Sequence, residues 1–136
     1  MEGLGRLYQI GTSVTTANTR FRMQEASGVA FVLIGATSGN ATFQTHTAAS
    51  GGTSTNFASI TRYYTQASGV WTKVTQAAAA TITAVTGGLA VVEIDAASMP
   101  DGHKYVSGSH SAGSFVVLLR DLTVQRAPAN FANING

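Results

Sequence analysis

Residues Gly88 to Val124 read GLAVVEIDAASMPDGHKYVSGSHSAGSFVVLLRDLTV, and this stretch decides the fold. In its first segment Leu89, Val91 and Glu93 face one way, and Ala90, Val92 and Ile94 face the other. Alternation at period two with β-branched residues describes a strand that has one face in a core. Pro100-Asp101-Gly102 supplies a turn, because proline sets φ and glycine accepts positive φ. A short return follows from His103 to Val106, then a Gly/Ser loop from Ser107 to Ser114. Phe115 to Val124 is the longest apolar run, broken only by Arg120, Asp121 and Thr123. Three strands with tight punctuation predict a meander as the nucleus of a β-sandwich. Phe31, Leu33, Val92, Ile94, Val117 and Leu119 are its expected core.

Working outward, Val29 to Ala36 (VAFVLIGA) is apolar on both faces and bounded by glycine, which predicts a central strand. Phe21, Met23 and Glu25 alternate with Arg20, Arg22 and Gln24, and Ala41 to Thr47 is a Thr-rich alternating segment. Ala48 to Thr55 reads as a flexible loop. Phe57 to Gln66 and Val70 to Gln76 favour strand through their Thr, Tyr and Val content. Ala77 to Ala80 is the one place where a helical turn could form, with strand favoured from there to Gly87-Gly88. Thr81 to Thr86 alternates up to Gly87-Gly88, a pair that signals a hairpin. The expected fold is all-β: an antiparallel β-sandwich, jelly-roll-like, with about eight to ten short strands and little helix. The expected divisions are an N-terminal arm or edge strand over 1–18, the sandwich over 19–125, and a C-terminal tail over 126–136.

A chain of 136 residues is long enough for one domain with its own core. Hydrophobic residues make up 44% of it and charged residues only 10%, against roughly 25% in ordinary soluble domains. A surface this poor in charge points to faces that lie against copies of the chain or against a partner. The net charge of +2 is spread over isolated Arg and Lys residues, so nucleic acid is not an expected partner. No cysteine is present, which suits assembly in a reducing cytoplasm. The first residues contain no long apolar core, so no secretory signal is expected, and no run is long enough to cross a membrane as a helix.

Catalytic chemistry has little footing in this sequence. His46, His103 and His110 lack the spacing of a metal site and are expected to be solvated. No Gly-x-Ser-x-Gly turn presents a nucleophile, and Gly51-Gly52 and Gly87-Gly88 lack the strand-to-helix context of a phosphate loop. Glu93 and Asp95, two apart on one strand face, have the look of an acid/base pair, and pairing with Arg120 accounts for them equally well. Tyr63, Tyr64 and Trp71 could stack on sugar rings, but with only Gln66 and Gln76 nearby, packing is the favoured role. No enzyme activity and no cofactor are expected.

The segments VVEIDAASMPDGHKYV (91–106) and VVLLRDLTVQRAPANF (116–131), with the ending Arg126-Ala127-Pro128-Ala129-Asn130, resemble small structural proteins from the head genes of tailed bacteriophages. The resemblance implies a capsid decoration (cement) protein on the outside of the virion. It would bind the major capsid protein, commonly as a homotrimer, after assembly in the host cytoplasm. The apolar residues Leu4, Leu7, Tyr8 and Ile10 near the start, and Arg126, Phe131 and Ile134 near the end, are the expected partner contacts. They lie in segments with little propensity to order alone. Two other functions fit the same residues: a tail or head–tail connector subunit, and a carbohydrate-binding module for host attachment.

Overall fold

A computed structural model describes residues 6–10, 19–36, 39–83, 87–110 and 112–122. They form strands β1 (Arg6–Ile10), β2 (Phe21–Arg22), β3 (Ala26–Ile34), β4 (Asn40–His46), β5 (Ser54–Asn56) and β6 (Ile60–Ala67). The series continues with β7 (Val70–Ala79), β8 (Thr81–Thr83), β9 (Leu89–Asp95), β10 (Tyr105–Ser109) and β11 (Ser114–Leu122). One sheet runs β1-β11-β3-β9-β6-β7; the other runs β2-β10-β4-β5, with β8 also paired to β4. Every pairing is antiparallel. The two sheets enclose one apolar core, so the molecule is the β-sandwich that the alternation predicts.

The period-two reading of the core holds residue by residue. Cross-strand rows Phe115–Leu33–Ala90, Val117–Phe31–Val92 and Leu119–Val29–Ile94 all face inward. All nine of these side chains are buried, including the six expected from sequence. Phe31 is the hub, with edge-on contacts to Phe43, Phe115 and Phe21 at centroid distances of 5.2, 5.7 and 5.9 Å. Such pairs contribute about 0.5–1.5 kcal/mol beyond the area they bury.

Several local expectations are corrected. β9, β10 and β11 are not a meander: β9 and β11 flank β3 in the large sheet, while β10 lies between β2 and β4 in the other. The Pro100 turn, closed by His103 N–H donating to Pro100 O at 3.1 Å, carries the chain between sheets instead of folding it back. Gly87-Gly88 does likewise, since β8 pairs with β4 whereas β9 pairs with β3 and β6. The two-residue hairpin is Ser68-Gly69, with φ of 49° and 81°, joining β6 to β7. Positive φ at both central residues gives the turn whose twist matches the flanking strands.

Ala77–Ala79 is strand, because pairing with β6 overrides the high intrinsic helix propensity of alanine. The helical turn instead occupies Ala96–Ser98, where Ser98 Oγ donates to Asp95 O at 2.7 Å. Ser107-Gly108-Ser109 is strand and not loop. A Cβ on Gly108 would lie 3.1 Å from the Phe43 ring and 3.3 Å from the Phe115 ring, so the small residue is what allows two core rings to pack there.

Candidate interaction surface

The outer face of the large sheet is built by the residues that alternate with the core. Its cross-strand rows are Ser114–Ile34–Leu89–Gln66–Trp71, Val116–Val32–Val91–Tyr64–Lys73 and Leu118–Ala30–Glu93. No described strand or helix lies over this face. Val32, Leu89, Val91, Val116 and Leu118 are half-buried by their neighbours, while Ile34 is 42% and Trp71 is 53% exposed. A sandwich of two layers normally turns polar residues outward. Here the outer face is apolar from β11 across to β9.

The same face ends in a charged cluster. Arg120 on β11 lies opposite Gly28, and Gly28 lies opposite Asp95. A Cβ on Gly28 would come within 2.6 Å of Arg120 Nη2, so the glycine opens the slot through which the guanidinium crosses β3. Nη2 donates to Asp95 Oδ1 at 2.9 Å and Nη1 to Glu93 Oε1 at 3.2 Å. Both carboxylates are therefore held by one cation, the second of the two roles considered for them. The cluster opens on a shallow cleft of about 240 Å³, which Arg62, Tyr64 and Ser98 also line.

The aromatic residues separate. Tyr63 points into the core, where its hydroxyl accepts the Thr83 N–H at 3.4 Å; Tyr64 and Trp71 face outward. Gln76 turns away from them and donates to Ile60 O at 3.0 Å and Thr81 O at 2.9 Å.

The histidines correct the expectation of solvated side chains. His46 is 1% exposed, with Nδ1 hydrogen-bonded to Ser54 Oγ at 2.8 Å and Nε2 to Ser107 Oγ at 2.7 Å. His103 Nδ1 is hydrogen-bonded to Thr45 Oγ1 at 2.8 Å, and His110 is buried, with its Nδ1 accepting the Ala112 N–H at 3.0 Å. His46 is buried with both ring nitrogens bonded to hydroxyls, His103 is half-buried, and His110 is buried with its Nε2 left without a partner; spacing along the chain reveals none of this. Arg20 spans the β4–β5 loop, donating to Ala48 O at 2.7 Å and Gly51 O at 2.6 Å. That loop is therefore pinned by an arginine, where sequence reads it as flexible.

Burial first, then the nearby Arg20 and His103 charges, push the His46 pKa down to about 4. The Ser107–His46–Ser54 chain resembles a nucleophile with its base. However, Ser107 is fully buried and the third member is a hydroxyl, not a carboxylate. A neutral imidazole with so low a pKa is a weak base, and the chain acts as a structural clip between β4, β5 and β10. Among the described residues no group of three His, Cys, Asp or Glu is placed to hold a metal ion.

Of the partner contacts expected near the start, Leu7, Tyr8 and Ile10 lie on β1, whose backbone pairs with β11 as an edge of the chain's own sheet. Leu4, Arg126, Phe131 and Ile134 lie outside the described residues. Sequence reasoning missed Gly28, Ser54 and Ser107. From sequence Gly28 bounds the strand expected over 29–36, whereas the structure places it inside β3, where a glycine marks close approach of another group. Compared with protein-family models, curated proteins and solved structures, the chain matches none.

Proposed function

We propose that the chain is a non-enzymatic structural protein that binds the outer surface of a tailed-phage capsid and stabilises the shell. The observation that carries this reading is the apolar outer face of the large sheet, over which no described strand or helix lies. Ligand pockets for small molecules are concave and enclose most of their ligand. This face is a broad sheet surface, with a cleft at its charged end, and it suits a partner that is itself a broad wall. Burying an apolar side chain fully contributes about 1.5–3 kcal/mol, so several half-buried ones in adjoining rows are enough for a specific contact. The low charge content agrees, because few ions would have to be desolvated.

In this reading the partner is the major capsid protein and the site of action is the virion exterior, reached from the host cytoplasm. A homotrimer would multiply a modest contact through effective concentration. A glycan-stacking role has weaker support, because Tyr63 is in the core and only Tyr64 and Trp71 remain outside.

The test is co-sedimentation with capsids of the phage that carries the gene. Ile34→Asp and Val116→Asp place charge on the face without entering the core, and each should abolish co-sedimentation while the circular dichroism melt stays cooperative. Truncation after Arg126 asks separately whether Phe131 and Ile134 form an attachment arm. Undiminished co-sedimentation of both face variants refutes the proposed surface.

A further inference from the structure

Natural sheets protect their edges by keeping edge strands short, bulged, charged or interrupted by proline. Three edges here follow that pattern. β2 has two residues, β5 has three, and the register of β1 shifts between Tyr8 and Ile10. β7 does not. It is ten residues long and ends the large sheet, and its pairing with β6 is regular from Val70 through Thr75, shifting only beyond. That regular part contains no proline and one charge, Lys73. It also carries two of the three exposed large hydrophobic residues among those described, Val70 at 66% and Trp71 at 53%. The third, Ile34, sits in the same cross-strand row as Trp71.

We propose that the outer edge of β7, along which no described strand pairs, pairs antiparallel with the β7 edge of a second copy, about a two-fold axis at Thr72. Residues directly opposite in an antiparallel ladder belong to the same hydrogen-bonding type, so only residues an even number apart can face each other across such an axis. The possible centres within the regular segment are then few. An axis at Lys73 sets two ammonium groups opposite each other, which is destabilising. At Val74 the ladder runs to Ala78, past the register shift, and at Trp71 it leaves Lys73 opposite Gly69. With the axis at Thr72, Trp71 lies beside the second copy's Lys73, and Val70 beside its Val74. An ammonium next to an indole face is attractive, and the contact occurs twice by symmetry.

The segment Val70-Trp71-Thr72-Lys73-Val74 is complementary to its own reverse about Thr72, which is why a second copy, and not an unrelated peptide, is the occupant. The product is one sheet with six strands from each copy, whose outer faces lie on the same side. This contact does not depend on capsid binding. Being isologous, it makes dimers or joins two trimers, and it does not by itself build a three-fold ring.

The test uses the purified full chain, which contains no cysteine. Thr72→Cys places the two thiols opposite each other, with Cβ atoms about 4.5–5.5 Å apart in a paired ladder. Mild oxidation should convert it to a covalent dimer, while Thr75→Cys, displaced from the axis on the same strand, should remain uncrosslinked. In sedimentation equilibrium the wild type should self-associate. Trp71→Lys, which replaces each attraction with a repulsion, should raise the dimer dissociation constant by about tenfold or more with an unchanged melt. A wild type that stays monomeric up to millimolar protein, equal crosslinking of both cysteine variants, or unaltered association of Trp71→Lys would each overturn the proposal.

Discussion

Acidification should destabilise this fold through His46. The folded imidazole is held neutral by burial between two serine hydroxyls, with Arg20 and His103 adding repulsion, and its pKa is lowered from 6.5 to about 4. The unfolded chain takes up this proton near pH 6.5 and the folded chain only near 4. The unfolded state therefore binds more protons in that window, and stability falls as pH falls. The contribution is fully present above about pH 6.5, declines by about 1.4 kcal/mol per pH unit below it, and levels off near pH 4. Over the whole window the loss is about 3 kcal/mol, a large share of the roughly 5–15 kcal/mol that holds a domain together.

Urea denaturation followed by circular dichroism, repeated from neutral pH to about pH 4.5, reads this slope. His46→Gln keeps a donor and an acceptor for Ser54 and Ser107 but cannot titrate, so its stability should be lower at neutral pH and distinctly flatter against pH. The His46 ring signals in proton NMR should not shift until well below pH 6. An unchanged slope in His46→Gln, or a ring that titrates near 6.5, refutes the reasoning.

Three substitutions check the packing. Gly108→Ala drives a methyl group against the Phe43 and Phe115 rings and should cost about 1–3 kcal/mol in urea denaturation. Phe31→Ala removes the hub of the aromatic cluster and should cost about 3–5 kcal/mol by the same assay. Gly28→Ala closes the slot under Arg120, but the atom displaced is the tip of a flexible side chain. Its stability change should stay below about 1 kcal/mol, while the Arg120–Asp95 coupling measured by a double-mutant cycle disappears.

Residues such as Val92, Phe31 and Val117 were legible in the sequence because a strand has only two faces. Once Ala90, Val92 and Ile94 share one of them, a single buried sheet face assigns all three at once. The turn at Pro100 was legible for an equally local reason, the restricted φ of proline beside a permissive glycine. The apolar character of Val32, Ile34, Val116 and Leu118 could also be read along the chain, but not that they would remain on an outer face. Which strands become neighbours depends on closing the chain over long separations, and period-two alternation is identical in either sheet. For that reason only the tertiary structure could place β10 apart from β9 and β11, or show that Gly87-Gly88 is a crossing and Ser68-Gly69 a hairpin. It alone could bring Ser54 and Ser107 to the two nitrogens of His46, and set Gly28 beneath Arg120. A buried polar side chain depends on partners from distant parts of the chain, and those partners leave no periodic trace in the residues around it.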